Sequence, residues 1–181
     1  MRVIAGAARG RPLVAPPGRD TRPTSDRARE GLFSTLATLV NVEGARVLDL
    51  YAGSGAVGLE ALSRGASTVV LVESDVRAAA VVRRNAEAVG LPGARVVVDR
   101  VERYLATVAT TFDIVFMDPP YATTDEIVAR VLAAVPLDGV VVVERSARSP
   151  EPVWPDGVEQ VKERRYGDGV LWYGRRVEAP A

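Results

Sequence analysis

Five short apolar segments alternate with helix-length segments between residues 45 and 145, and this alternation limits the folds open to the chain. The apolar segments are predicted strands at 46–50, 68–73, 94–98, 112–117 and 139–144. The segments between them are predicted helices at about 57–64, 75–89, 100–109 and 124–135. Strands that are apolar on both faces and separated by helices indicate a parallel sheet with right-handed crossovers.

The alternation stops after Pro155, and the pattern there predicts an antiparallel hairpin with strands at 158–165 and 170–176. Before the first core strand, a helix is predicted from Thr24 or Ser25 to about Val40. Short strands at 2–6 and 11–15 predict a basic β-hairpin extension over residues 1–20. Residues 21–181 then form one α/β domain with a Rossmann-like, seven-stranded, mostly parallel sheet and helices on both faces.

The composition excludes several classes of chemistry. The chain has 181 residues, 48% of them apolar, which is enough for the core of one domain. It contains no cysteine and no histidine, so disulfides, thiol nucleophiles, imidazole bases and Cys/His metal sites are excluded. No apolar run approaches a membrane span, and the start lacks the apolar region of a secretion signal. We therefore expect a cytoplasmic protein without a membrane or metal partner.

The net charge of zero hides an uneven distribution. Residues 1–30 hold seven arginines against three acidic residues, whereas residues 31–158 hold eleven basic against sixteen acidic residues. A basic arm on an acidic body is typical of a nucleic-acid contact confined to one end. The alternative is a solvated arginine-rich surface from a GC-rich genome, since the chain has 22 arginines and one lysine.

A glycine-rich loop follows the first core strand and predicts a nucleoside-containing ligand. Gly53 and Gly55 permit close approach of a ligand, and Glu73, twenty residues after Gly53, is placed to accept hydrogen bonds from ribose hydroxyls. NAD and S-adenosylmethionine both fit. Asp49 favours S-adenosylmethionine, because a carboxylate there would attract a cation and repel a pyrophosphate. The candidate cofactor residues are Asp49, Tyr51, Ala52, Gly53, Ser54, Gly55, Glu73, Ser74, Asp99, Arg100 and Val101.

Asp99 ends the third predicted strand, where it could accept from an adenine amino group or simply cap the next helix. The sequence Asp118-Pro119-Pro120-Tyr121 follows the fourth predicted strand. Two prolines fix the backbone and remove two N–H donors, so nearby carbonyl groups are left as acceptors beside an aromatic ring. Such a group suits a planar base with an exocyclic amine. The alternative for Asp118 is an aspartate that only forms the turn.

These motifs, in this order on successive strands, resemble class I S-adenosylmethionine-dependent methyltransferases, whose amine-methylating members carry an (Asn/Asp)-Pro-Pro-Tyr motif after the fourth strand. Within that group, the segment from Arg22 to Glu30 and the opening Arg2-Val3-Ile4-Ala5-Gly6 are similar to bacterial 16S rRNA (guanine-N2) methyltransferases of the RsmD family. The resemblance extends over nearly the whole chain.

The resemblance implies methyl transfer to the exocyclic N2 of one guanine in 16S rRNA, on an assembled or partly assembled small ribosomal subunit, by a monomeric enzyme. Asp118 and the Pro119 carbonyl would accept the two amine hydrogens, and Tyr121 would stack on the flipped base. The catalytic candidates are thus Asp118, Pro119, Pro120 and Tyr121. The RNA-binding candidates are Arg9, Arg11, Arg19, Arg22, Thr24, Arg27 and Arg29.

Several alternatives remain open at this point. Related enzymes methylate adenine in DNA or RNA, or a protein glutamine, although DNA enzymes usually add a target-recognition domain. A protein that kept the fold without catalysis would serve as a ribosome-assembly factor. An NAD-dependent oxidoreductase is disfavoured by the absence of histidine and of a second domain. Tyr166, Trp172 and Tyr173 either line the base site or belong to the core.

Overall fold

The computed structural model describes residues 1–17, 25–120, 122 and 124–179. Within these residues the chain forms one seven-stranded sheet with helices packed on both faces. The strands are β1 Arg46–Leu50, β2 Thr68–Glu73, β3 Ala94–Val98, β4 Ile114–Met117, β5 Val140–Ser146, β6 Val158–Tyr166 and β7 Gly169–Arg176. The helices are α1 Asp26–Leu36, α2 Ala56–Ser63, α3 Val76–Val89, α4 Val101–Thr107 and α5 Thr124–Val131, followed by a 3₁₀ turn, Leu132–Ala134.

The strand order is β3-β2-β1-β4-β5-β7-β6. Strands β1 to β5 pair in parallel, and β7 and β6 pair antiparallel at one side. The order reverses between β1 and β4, where a crevice opens at the carboxyl ends of the strands. The predicted α/β class and the antiparallel hairpin are confirmed. Consequently the loops after β1, β2, β3, β4 and β5 all meet at the same edge.

Two apolar cores lie on opposite faces of the sheet. One contains Leu32 and Phe33 of α1 together with residues of α2 and α3. The other contains Val101 of α4 and Ile127 of α5. Both cores include fully buried residues of the central strands, which explains why these strands are apolar on both sides.

Several element boundaries differ from the predictions, and the local hydrogen bonds explain two of the differences. Helix α1 begins after its N-cap, Ser25, whose side chain accepts a hydrogen bond from the Ala28 N–H at 3.1 Å. It ends at Leu36 rather than near Val40, because Thr38 N–H bonds the Thr35 carbonyl three residues back and the chain continues in turns. Strand β4 begins two residues later than predicted, since Phe112 N–H donates to the Ala134 carbonyl instead of to a neighbouring strand.

Residues 1–17, called here the N-terminal segment, form a shorter hairpin than predicted. Its one bridge pairs Arg2 with Pro12. Pairing goes no further because the Ile4 and Ala5 N–H groups donate to the Glu60 carboxylate, at 2.8 and 3.0 Å. Three side chains of this segment are buried in the core formed with α1, α2 and α3 (called here the α1–α3 core), namely those of Val3, Ala8 and Leu13. The segment therefore packs on the domain. The expected boundary at residue 20 lies outside the described residues.

Candidate active site

The glycine loop connects β1 to α2 in a backbone conformation that favours glycine. Gly53 and Gly55 have φ values of 59° and 77°, and Tyr51, at 61°, is also in the left-handed region. A Cβ on Gly55 would lie 2.9 Å from a methyl carbon of Val82. The loop is therefore a tight turn in which Gly53 and Gly55 adopt left-handed φ without strain, and Tyr51 is the one non-glycine residue of the three there.

Glu73 fixes this loop from the end of β2. One of its carboxylate oxygens accepts the Gly53 N–H at 2.9 Å, and the other accepts the Asp75 N–H at the same distance. Only 2% of Glu73 is exposed. Glu73 thus lies beside the glycine loop, where the predicted hydrogen bonds to ribose hydroxyls require it to be. It also holds the loop backbone in place.

Asp49 lies beneath the loop rather than at its surface. It is 1% exposed, and its Oδ2 accepts the Gly58 N–H at 2.9 Å, at the start of α2. A Cβ on Gly58 would be 3.0 Å from that oxygen and 2.8 Å from Val69. Glycine at 58 is therefore required by the close approach of α2 to the sheet.

The pKa of the Asp49 carboxyl is raised from 3.8 to about 8, and burial is the largest cause. The Gly58 hydrogen bond opposes this rise, whereas the carboxylates of Glu73, Asp118 and Glu144 contribute to it. We name Asp49 and these three carboxylates the acidic site. They lie in or directly after β1, β2, β4 and β5, so the site gathers acidic groups where a cationic ligand would be stabilised and would favour loss of the Asp49 proton.

The Asp118 motif lies after β4, as predicted. Asp118 is exposed, Pro119 is buried and Pro120 is exposed. The Pro120 carbonyl accepts from the Thr124 hydroxyl at 3.4 Å, which ties the turn to α5. Tyr121 lies outside the described residues.

Glu144 is a site residue that the sequence analysis missed. Met117 of β4 pairs with Val143 of β5, so the next residues, Asp118 and Glu144, reach the same level of the sheet. Glu144 is half-buried. A usable indication was present in the sequence, since each carboxylate directly follows a run of buried apolar residues that ends at one edge.

The remaining cofactor candidates occupy different environments. Ala52 packs on the α1–α3 core and Ser54 is buried, while Ser74 is exposed. Asp99 does follow β3, where its carboxylate accepts the Arg100 N–H at 2.8 Å and lies 3.6 Å from the Arg103 guanidinium.

The last two cofactor candidates lie at the start of α4, and only part of what they offer is accessible to a ligand. Arg100 is exposed and lies 3.8 Å from Glu102. The Val101 side chain is 3% exposed and belongs to the core, so only its backbone is available to a ligand.

A basic cleft opens between the N-terminal segment and the start of α1. Its volume is about 420 Å³. Two of the predicted RNA-binding residues, Arg9 and Arg27, line it together with Arg2, which the prediction omitted. Asp26 and Glu30 also line it, so three arginines face two acidic residues there. Arg11 is exposed elsewhere and donates to the Ala88 carbonyl at 2.8 Å. Arg19, Arg22 and Thr24 lie outside the described residues.

Arg29 was predicted to contact RNA, but the structure places it in the interior. It is 0% exposed, and its guanidinium donates to the Arg2 carbonyl and to Asp26. Its Nε lies 3.6 Å from the buried Glu60 carboxylate. Arg29 is therefore an internal residue that joins α1 to the N-terminal segment, and it offers nothing to a phosphate at the surface.

The C-terminal aromatic residues belong to the core. Tyr173 is 0% exposed and Trp172 is 8% exposed, on opposite faces of the sheet. Tyr166 is partly buried and packs on α1, since a Cβ on Gly31 would be 1.9 Å from its hydroxyl oxygen. Of the two roles left open by the sequence, the structure supports the packing role.

Comparison with known proteins assigns the chain to a family. The family model described as "Conserved hypothetical protein 95" matches residues 1–175. The chain belongs to this family. The resemblance inferred from the glycine loop, Glu73 and the Asp118 motif is thereby confirmed.

Individual relatives agree with this assignment. Ribosomal RNA small subunit methyltransferase D of Escherichia coli strain K12 is 43% identical over 121 residues, which are 67% of this chain and 60% of that protein. The aligned part therefore spans less than two thirds of that relative's length.

Solved structures match over almost the full chain. The structure of yhhF from Escherichia coli has a TM-score of 0.87 and 32% identity, and the match covers 98% of each chain. A hypothetical protein of Thermus thermophilus has a TM-score of 0.82 and 35% identity, with 99% of each chain covered. The Rossmann-like fold is thus shared over the N-terminal segment as well as the sheet.

Within the described part of the chain, no helix is both long and apolar enough to cross a membrane. The same residues contain no group of three or more acidic side chains arranged to hold a metal ion.

Proposed function

We propose that this protein is an S-adenosylmethionine-dependent methyltransferase of small-subunit ribosomal RNA, and that its acceptor is the exocyclic N2 of one guanine. The substrate would be 16S rRNA in an assembled or partly assembled small subunit, and the reaction would take place in the cytoplasm with a monomeric enzyme. The name of the Escherichia coli relative supports the substrate class. The chemistry is supported by the site itself.

The acidic site is the observation that carries the proposal. Burial raises the pKa of Asp49 to about 8, and repulsion from three other carboxylates contributes to that rise. A sulfonium or ammonium cation would relieve that repulsion, whereas a pyrophosphate would increase it. The residues present therefore fit S-adenosylmethionine and disfavour NAD, although both would suit a glycine loop.

The donor would be held by the loop backbone at residues 52–55 and by two acidic residues. Glu73 would accept from the ribose, and Asp99 would accept from the adenine amine. When bound, S-adenosylmethionine supplies an electrophilic methyl group. The protein contributes mainly position, because an activated methyl needs only a correctly aimed nucleophile.

Asp118 would prepare the nucleophile. The lone pair of the guanine amine is delocalised into the ring, so the amine is a poor nucleophile in the plane of the base. Hydrogen bonds from the amine to Asp118 and to the Pro119 carbonyl would draw the nitrogen toward tetrahedral geometry. As the N–C bond forms, the bond between the methyl carbon and the sulfonium sulfur would break and leave a neutral thioether. The methylated amine would lose one proton, which the Asp118 carboxylate would accept and pass to solvent.

The paired carboxylates also favour guanine over adenine. The Watson–Crick edge of guanine presents two donors, N1–H and the N2 amine, and Asp118 and Glu144 reach the same level of the sheet. Adenine presents an acceptor at N1, which would face a carboxylate and be repelled. Glu144 would therefore act in selecting the base.

The basic cleft gives the proposed RNA a place to bind between the N-terminal segment and α1. Arg2, Arg9 and Arg27 can contact phosphates, and contacts of this kind fix position without reading sequence. Arg11 is a third exposed arginine on the N-terminal segment, after Arg2 and Arg9. The limited basic surface suits a folded particle that supplies part of the specificity.

The test is a methyl-transfer assay with labelled S-adenosylmethionine and small subunits from cells that lack this gene. Asp118→Ala should lower kcat at least about a hundredfold. The affinity for S-adenosylhomocysteine should change less than about threefold, because Asp118 contacts the acceptor rather than the donor. The matched control is Asp156→Ala, at an exposed position in the loop before β6. Near-normal turnover by Asp118→Ala would refute the mechanism.

A further inference from the structure

Asn85 of α3 is a buried amide that bonds two separate parts of the chain. It is 1% exposed. Its Nδ2 donates to the Val14 carbonyl at 2.9 Å and to the Ser54 carbonyl at 2.8 Å. Its Oδ1 accepts the Val14 N–H at 2.9 Å. Both amide hydrogens are therefore used, one on the N-terminal segment and one on the glycine loop.

The two bonds to Val14 imitate strand pairing. A side-chain amide that donates to and accepts from the same residue's backbone replaces the neighbour that Val14 lacks in the hairpin. The second amide hydrogen then holds the Ser54 carbonyl, which lies between the two left-handed glycines of the loop. One planar side-chain group thus links the N-terminal segment at Val14 to the loop backbone at Ser54.

Other contacts also join the N-terminal segment to this loop and to the helix after it. The Ala7 and Ala8 N–H groups donate to the carbonyl and hydroxyl of Ser63, at 2.8 and 2.9 Å, at the end of α2. At the opposite end, the Met1 sulfur lies 3.9 Å from the Ser54 hydroxyl. The segment therefore touches the loop directly and also contacts the helix that follows it.

We propose that Asn85 is a positioning residue that couples rRNA binding at the basic cleft to donor binding at the glycine loop. The inference rests on the proposed function and deepens it. Arg2 and Arg9, which line the cleft, belong to the same N-terminal segment that Asn85 holds. Phosphates bound to these arginines would stabilise the segment in the position described, and through Asn85 they would stabilise the Ser54 carbonyl in the loop that receives the donor.

Coupling of this kind is reciprocal, so rRNA must raise donor affinity by the same factor by which the donor raises rRNA affinity. We expect small-subunit particles to tighten the binding of S-adenosylhomocysteine about fivefold in the wild type, at the lower end of usual coupling factors. In Asn85→Ala the factor should fall to about one. The affinity without particles should also weaken about tenfold, since the Ser54 carbonyl loses its buried donor.

The experiment is calorimetric titration of S-adenosylhomocysteine, with and without saturating particles from cells that lack the gene. Thermal unfolding of each variant measures its folded fraction, and affinities are compared at a temperature where all are folded. Asn41→Ala is the matched control, because Asn41 is exposed and its side chain accepts only a local bond from Glu43 N–H. At saturating donor, the kcat of Asn85→Ala should stay within about threefold of the wild type.

The coupling factor separates the outcomes. If the wild type binds no S-adenosylhomocysteine, the proposed function fails. If it binds, and Asn85→Ala keeps the fivefold factor, only the coupling is overturned. Should Asn85→Ala not fold, Val14→Pro removes the N–H donated to Asn85 at a position that is 43% exposed. That variant should also lose the factor, and its retention there would equally refute the proposal.

Discussion

Two buried carboxylates of this protein, Glu60 and Asp49, lie in opposite environments. Glu60 on α2 is 0% exposed, and it accepts the Ile4 and Ala5 N–H groups and the Arg64 guanidinium. Arg29 lies 3.6 Å away on its other side. Asp49 is 1% exposed, and it accepts the Gly58 N–H within a group of other carboxylates.

The difference separates a carboxylate that stabilises the fold from one that we propose to act in ligand binding. The charge of Glu60 is balanced by arginines of the same chain, so a ligand is not needed to stabilise it. The charges that act on Asp49 are those of three other carboxylates, and together with burial they raise its pKa. A cationic ligand would supply to Asp49 the positive charge that Arg29 and Arg64 supply to Glu60. Substitutions at these residues should therefore have opposite effects on stability.

The largest expected effect is the pH dependence caused by Asp49. Between pH 4 and 8 the unfolded chain has lost the Asp49 proton while the folded protein keeps it. The free energy of unfolding should therefore fall as pH rises, by at most about 1.4 kcal/mol per pH unit, and level off above pH 8. Asp49→Asn should remove this slope and stabilise the ligand-free protein at pH 8 by about 3 to 5 kcal/mol.

Urea unfolding at half-unit pH steps measures this slope. Asp113→Asn is the control, because Asp113 also accepts a backbone N–H, from Arg46, at the opposite end of β1. The control should follow the wild type. An Asp49→Asn variant that is less stable than the wild type at pH 8 would contradict the account of the acidic site.

Glu60 should show the reverse behaviour. Glu60→Gln leaves the fully buried Arg29 without a carboxylate on α2, and we expect a loss of about 3 kcal/mol in the free energy of unfolding. The comparison is Glu126→Gln, which breaks an exposed pair with Arg130 at 2.7 Å and should cost no more than about 0.5 kcal/mol. Equal losses in chemical denaturation would show that Glu60 is not the internal counter-charge.

The smallest expected effects are at the basic cleft, where single phosphate contacts act. Arg9→Ala and Arg27→Ala should each weaken binding of rRNA or small subunits about three- to tenfold, because each removes one charge contact in a hydrated cleft. The slope of log affinity against log salt should fall by about one for each. Filter binding at several salt concentrations measures both values. Unchanged slopes would place the RNA elsewhere.

Much of the fold could be predicted from the sequence because the central strands are apolar on both faces. The bounds of β1, β2 and β3 match the predictions, since each is an apolar run bounded by polar or glycine residues. The end of α1 could not be predicted in the same way. Nothing in the apolar spacing indicates that the chain would change from helical to turn hydrogen bonds at Thr38.

Site residues were predictable where a motif carries them and not where tertiary pairing does. The glycine loop, Glu73 and Asp118 could be found because their spacing along the chain is informative. Glu144 belongs to no motif and joins them only through the pairing of β4 with β5. Arg29 looked like its neighbours in a basic run, since its partner Glu60 is remote in sequence and is brought close only by packing.

The most direct test of the central claim is mass spectrometry of 16S rRNA from a strain that lacks this gene, complemented with wild type or Asp118→Ala. We predict that one guanine loses its N2-methyl group in the deletion strain. The wild type should restore that methyl group, and Asp118→Ala should not. A full set of N2-methylguanosines in the deletion strain would contradict the account.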